Sequence, residues 1–307
     1  MLIPLEKNIG FIVSSMKMGA MCSCIPAAWL ADSLSRRFGI FAGAVTVMIG
    51  CALQAAAQDL SMMINGRFYA GFGFGALIAI APVYQAEIAL PSTRGRLTLM
   101  QQLFVGFGST IASFTTFATT SDTQLGPALQ WRLPLAFQII PCIPLAIGIW
   151  WLPESPRWLI KNGYKDDGLD ALTRLHGSET HLSELLIKGQ FARIQEESSN
   201  ESHSRSNSAW KRLLSEYQTI RKVALSVALQ FSVQLTGINL VAYYTPTLLA
   251  NFGISSQHAL LLLSDSNVMG NMRDIGCALL VDRMGRRWLS ICCNGACVRW
   301  GNFCAKR

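Results

Sequence analysis

Charge is what this chain is short of. Asp, Glu, Lys and Arg make up 14% of its 307 residues, and they are spread unevenly. From Ile9 to Leu152 the long apolar runs hold almost none, while nearly half of the charge is packed between Glu154 and Lys222. Runs of ~20 apolar residues are long enough to cross a bilayer as helices, and a soluble domain of this length rarely has several. Histidine is scarce as well, with four residues scattered outside the apolar runs and no cluster for a metal. Nine cysteines do not make a disulfide framework. Cys51, Cys142 and Cys277 lie inside apolar runs, where cysteine is a small hydrophobe, and Cys22-Ser23-Cys24 and Cys292-Cys293 lack a second pair at zinc spacing. The net charge of +8 comes without an aromatic-interleaved basic stripe, so nucleic acid is not an expected partner. Met1–Gly10 is too short and polar for a signal peptide. No Ser/His/Asp arrangement supports catalysis, and Gly71, Gly73 and Gly75 follow no strand, so they do not form a dinucleotide loop.

What is present is a series of membrane spans, predicted at roughly 11–31, 38–57, 60–85, 97–119, 133–152, 223–249 and 258–281. The stub Trp288–Cys297 is too short to cross alone. Arg36, Arg37, Arg94, Arg96, the 154–222 segment, Arg283, Arg286 and Arg287 fall on one side, and the loops between them hold no Lys or Arg. By the positive-inside rule that side is cytoplasmic. An outside N-terminus with an odd number of spans predicts a helix missing upstream. Residues 154–222 read as short amphipathic helices interrupted by a Ser-rich tract at 197–208, with the Asn200 glycosylation triplet unused because it is cytoplasmic. Trp150, Trp151 and Trp158 read as interfacial anchors.

One charged turn occurs twice. Asp32-Ser33-Leu34-Ser35-Arg36-Arg37 returns as Asp282-Arg283-Met284-Gly285-Arg286-Arg287, each copy between two apolar stretches. Such a distant repeat is what a duplicated membrane bundle looks like. Further motifs follow in order. They are Asn65-Gly66-Arg67, Pro82-Val83-Tyr84-Gln85-Ala86-Glu87 with Arg94-Gly95-Arg96, and Gln130-Trp131-Arg132. Then come Pro153-Glu154-Ser155-Pro156-Arg157-Trp158-Leu159 and Gln234-Leu235-Thr236-Gly237-Ile238-Asn239 with Tyr243-Tyr244. Together, from about Gly10 to Leu289, they resemble the sugar porter family of the major facilitator superfamily, its fungal branch above all.

The resemblance implies an all-α polytopic membrane helix bundle of the major facilitator superfamily fold, incomplete at both ends. It divides into an N-terminal bundle (1–153, family helices 2–6), a cytoplasmic helical linker (154–222) and a partial C-terminal bundle (223–307). It implies gating roles for Asp32, Arg36, Arg37, Glu87, Arg94, Glu154, Arg157, Asp282, Arg286 and Arg287, which stand at helix mouths where opposite charges can pair. Plain end charges that fix topology are the other reading. Arg67 opens an apolar helix. In proton-coupled relatives the matching arginine pairs with an acid on the first helix, so here Arg67 either stays hydrated near the interface or lacks that partner.

For the substrate, the resemblance points to Gln102, Gln230, Gln234 and Asn239 as sugar-contacting amides and to Tyr243 and Tyr244 as outer-gate aromatics. Asn271 lies about one residue off the family's eighth-helix asparagine. Gln101 stays open between contact and helix bridging. Gln230 and Gln234, four apart, share a helical face. Asn267, Asn271 and Asp274 form a stripe that a lumen would accommodate. The chain departs from the family at Val233, where a second glutamine is usual, and at Asp265, Arg273 and Asp274 within a span. The expected function is transmembrane transport of a hexose-like sugar or polyol by alternating access in the plasma membrane, with protons as a further candidate partner. The rival is a non-transporting truncated, regulatory or sensor-like derivative. No enzyme activity, metal or cofactor is implied.

Overall fold

A computed structural model of the chain describes residues 5–89, 94–121, 126–176, 187–196, 217–235 and 255–284, with positions 237, 244, 245, 249 and 253. No strand occurs among the described residues. The helices are α1 (Leu5–Ser33), α2 (Arg36–Ala55), α3 (Leu60–Ile88), α4 (Arg94–Ser121), α5 (Pro127–Phe137) and α6 (Ile139–Gly148). After them come α7 (Pro156–Lys161), α8 (Lys165–His176), α9 (187–196), α10 (Tyr217–Leu235) and α11 (Ser256–Met284). Two compact units result, one combining Met1–Leu90 with Pro127–Thr245 and the other Pro91–Gly126 with Pro246–Arg307.

In the first unit α3 packs along both α1 and α2, which touch each other far less. Glycine permits the approach. A Cβ at Gly71 would strike the Met16 backbone, and one at Gly75 would strike the Ala20 backbone and the Ser23 hydroxyl. This is the small-residue packing by which helices associate in lipid, where burial of apolar surface between them gains little. Buried Gln54 adds polar glue, its Nε2 donating to the carbonyls of Gly50 at 3.3 Å and Gly66 at 3.2 Å, so that α2 is tied to α3. Ala27, Ala31, Ile40, Ala76, Ile80, Tyr84 and Ile149 close one apolar cluster, and Val47, Cys51 and Ala70 a second.

Helix ends follow local chemistry. Ser35 caps α2 by accepting the Phe38 N–H at 3.2 Å. Ser155 caps α7 in the same way toward Trp158 N, with Pro156 in the first helical position. After α7, Gly163 at φ +92° and the bond from Tyr164 N to Leu159 O stop the helix. Helices α7 to α9 then bury Ile160, Leu172 and Ile187 together, as amphipathic helices between 154 and 222 should. The Ser-rich tract lies outside the described residues.

Among the described residues four segments are long and apolar enough to cross a membrane: Gly10–Ser33, Arg36–Ala55, Leu60–Ile88 and Pro127–Gly148. Two expected spans need correction. The segment expected at 133–152 starts at Pro127, ends at Gly148 and is broken at Gln138. Pro141 explains the break, because it has no N–H for the Phe137 carbonyl one turn back and its ring crowds that carbonyl. The helix expected to run from 223 to 249 begins at Tyr217 and stops at Leu235, just before Gly237 at φ +70°. Helices α4 and α11 run 28 and 29 residues, yet their hydroxyls, amides and charges keep them out of the apolar set.

Candidate functional site

The repeated charged turn near the N-terminus is the centre of a network in the first unit. Asp32 stands in the last turn of α1 and Arg36 in the first turn of α2, with Arg36 Nη1 2.5 Å from Asp32 Oδ1. The same guanidinium reaches α3, its Nε 3.3 Å from Glu87 Oε2 and its Nη2 3.5 Å from Glu87 Oε1. Ser155 Oγ donates to Glu87 Oε2 at 2.7 Å, and Ser35 Oγ donates to Glu154 Oε2 at 2.7 Å. Arg37 Nε lies 3.8 Å from that Glu154 oxygen. Tyr84 donates to the Pro153 carbonyl at 2.6 Å, and Trp158 Nε1 to the Asp32 carbonyl at 3.0 Å. Three helix ends and the start of α7 are therefore clasped together.

Burial ranks these contacts. The side chains of Arg36 and Glu87 are 13% and 11% exposed, whereas Asp32 is 61% exposed. The Arg36–Glu87 pair is the interior of the network and Asp32 its rim. Arg36 at a helix N-terminus and Glu87 at a helix C-terminus each sit where the helix dipole disfavours their charge, and pairing offsets both penalties. Reading the sequence for charges alone missed Ser35, Tyr84, Ser155 and Trp158. The Ser-Pro-Arg-Trp order signals a cap at Ser155, but its second bond to Glu87 is a tertiary contact.

Trp158 is more than an interfacial anchor, since its indole ties α7 to the end of α1. Replacing it with phenylalanine leaves the Asp32 carbonyl without that donor. The Trp158→Phe protein is expected to lose about 1 kcal/mol, read as a lower detergent-solubilised melting temperature with an unchanged elution profile. Trp150, by contrast, packs edge-on against Phe41 with ring centroids 5.6 Å apart.

The other gating candidates stand as follows. Arg67 is half-buried on α3 and takes part in interactions. Arg157 is exposed and likewise has partners. Arg94 begins α4 and Asp282 lies on α11, with side chains outside the described residues; Arg286 and Arg287 lie outside them altogether. Arg132, of the Gln-Trp-Arg motif, donates from Nη2 to the Ala57 carbonyl at 2.9 Å, a cation at the end of α2.

The second unit holds a polar helix pair. Asn267 Nδ2 on α11 donates to Ser113 Oγ on α4 at 2.6 Å, and Asn271 Nδ2 donates to Thr110 Oγ1 at 2.7 Å. The higher-numbered asparagine meets the lower-numbered hydroxyl, so the two helices are antiparallel. Asn271 is buried and lies against Gly106, where a Cβ would meet its Oδ1. Gln102, Gly106 and Thr110, spaced by four, put Gln102 on the same face of α4. Gln102 is exposed and Gln101 half-buried. Of the expected stripe, Asn267 and Asn271 engage α4, while Asp274 pairs with Arg273 at 3.2 Å. Asp265 is exposed. In the first unit Gln230 and Gln234 are exposed on α10, and Tyr244 is exposed as well. Asn239 and Tyr243 lie outside the described residues.

Comparison with known proteins decides the family. The sequence model of the family described as Sugar (and other) transporter matches residues 4–304. The chain belongs to that family. It is 33% identical over 284 residues to the MFS-type transporter criB of Aspergillus cristatus, covering 92% of this chain and 60% of that protein. It is 34% identical to the plastidic glucose transporter 4 of Arabidopsis thaliana, covering 91% of this chain and 48% of that one. The structure of the proton:xylose symporter XylE bound to 6-bromo-6-deoxy-D-glucose superposes with a TM-score of 0.76 at 22% identity, over 91% of this chain and 60% of that one. The fold is thus the all-α fold of the major facilitator superfamily, and this sugar transporter family member is a multi-pass membrane protein. It spans about half to three fifths of the length of these relatives.

Proposed function

We propose that this member of the sugar transporter family moves a hexose-like sugar or related polyol across the plasma membrane by alternating access. The observation that carries the reading is the Arg36–Glu87 clasp with its Ser155 and Asp32 partners. It ties the ends of α1, α2 and α3 to the start of α7, and as a network of opposite charges it can bias an equilibrium between conformations. In this reading residues 1–153 and 223–307 belong to two bundles, 154–222 is their cytoplasmic linker, and the clasp is the cytoplasmic gate. Gln102, Gln230, Gln234, Asn239 and Asn271 supply uncharged donors and acceptors for sugar hydroxyls, with Tyr243 and Tyr244 toward the outside.

The test is uptake of labelled hexose in cells that lack their own sugar carriers. Expression of the chain is expected to give saturable uptake, and Gln234→Ala to lower kcat/KM by ~10-fold, the worth of about one sugar hydrogen bond. Uptake that collapses when the proton gradient is dissipated would assign symport. Normal membrane insertion with no saturable uptake would instead mark the chain as a non-transporting derivative.

A further inference from the structure

Two thiols that the transport reading leaves unused meet inside the first unit. Cys51 on α2 is 1% exposed and belongs to the apolar cluster of Val47 and Ala70. Cys142 on α6 is half-buried and packs against the same cluster. Both turn to one residue. Cys51 Sγ donates to Gln138 Oε1 at 3.5 Å, and Cys142 Sγ donates to the Gln138 backbone carbonyl at 3.5 Å. Gln138 is the point where α5 breaks from α6, and Cys142, one turn further on, packs against the cluster that holds Cys51. Both are free thiols, and among the described residues no cluster of three or more His, Cys, Asp or Glu side chains could hold a metal ion.

We propose that Cys51 and Cys142 form a dithiol site, within the membrane, for lipid-soluble thiophilic species that bridge two sulfurs, trivalent organoarsenicals being the type. Cys51 is closed off from charged aqueous reagents by its burial, whereas an uncharged aryl arsenoxide partitions into the apolar cluster around it. Half-buried Cys142 reacts first and Cys51 closes the ring. In the balanced step two S–H bonds break and two As–S bonds form. Both protons leave with the oxo oxygen as one water, and neither arsenic nor sulfur changes oxidation state. Bridging ties α2 to α6 across the kink. The other described thiols do not match this arrangement: Cys22 and Cys24 are both exposed, two residues apart on α1 and so on opposite sides of that helix, about 200° around.

The experiment uses the full chain in membranes with every cysteine except Cys51 and Cys142 changed to alanine, which removes the adjacent Cys292-Cys293 pair as a competitor. Phenylarsine oxide is the probe, and binding is read by intact mass and by loss of maleimide-reactive thiols after denaturation. One arsenical per chain is expected, with two thiols lost together, released by a dithiol but not by an equal concentration of monothiol. Cys51→Ala and Cys142→Ala should each weaken binding about 100-fold or more, the loss of an intramolecular second bond. Cys51→Ser, which keeps a donor for Gln138, guards against a folding artefact and should behave as Cys51→Ala does. Monothiol-reversible binding, or adducts that persist in either single variant, would overturn the site. So would absence of any adduct on chain that elutes as a single species. The readout is binding, so the site stands or falls separately from transport.

Discussion

Gly75→Leu is expected to yield almost no monodisperse protein on fluorescence-detected size exclusion, whereas Gly108→Leu yields nearly the parental amount. Gly75 lies where the backbones of α3 and α1 come close, and even a Cβ there meets the Ala20 carbonyl and the Ser23 hydroxyl. Those obstacles are backbone and a short buried side chain, so nothing can swing aside. Leucine would have to push α1 away along its whole contact with α3. Overpacking of this kind costs about 1–3 kcal/mol where neighbours can shift, and more where backbone must. Ser23 makes it worse, because its hydroxyl already donates to the Ala20 carbonyl at 2.8 Å and that bond would be displaced too. Gly108 has open space around its missing Cβ. Equal yields from the two variants would mean that the close approach of α1 and α3 does not hold the unit together.

Arg36→Met should be the most damaging single change to the charge clasp. It removes the cation from Glu87, whose side chain is 11% exposed, and leaves that carboxylate with the Ser155 hydroxyl. Breaking a buried pair by deleting one partner costs about 3–5 kcal/mol, chiefly the penalty of the stranded charge. A fall in melting temperature on the order of 5 °C or more is expected. The double variant Arg36→Met/Glu87→Leu should recover most of that loss, because neither charge is then left alone. Asp32→Asn, at the exposed rim, should cost about 0.2–1 kcal/mol. A double variant no more stable than Arg36→Met would show that the pair is not the source of the loss. Since the clasp is read as a gate, the stable double variant also serves transport. Its uptake should change although its fold does not, through a shifted balance between open and closed states.

How much of this was legible in advance depends on the range of the interaction. The turn Asp32…Arg36-Arg37 could be read as a helix boundary because its charges interrupt two apolar runs, and α1 and α2 end where it predicts. The stop at Leu235 was signalled by Gly237, and the break at Gln138 by Pro141, but long apolar runs on either side outweighed single residues when spans were drawn. Asn267 and Asn271 could be seen to share a face four residues apart. That this face meets Thr110 and Ser113 could not, since nothing local in α11 names a partner some 154 residues away in sequence. Ser155 was hidden for the same reason: capping is local chemistry, and its bond to Glu87 is not.

The seam between α4 and α11 closes with amides and hydroxyls instead of interlocked bulky side chains, and α4 offers another hydroxyl, Thr116, one turn beyond Ser113. Asn271 is also fitted into the gap left by Gly106, where a Cβ would meet its Oδ1. The register of the two helices is therefore pinned twice, once by amide-to-hydroxyl bonds and once by a missing side chain, so a one-turn shift would have to give up both.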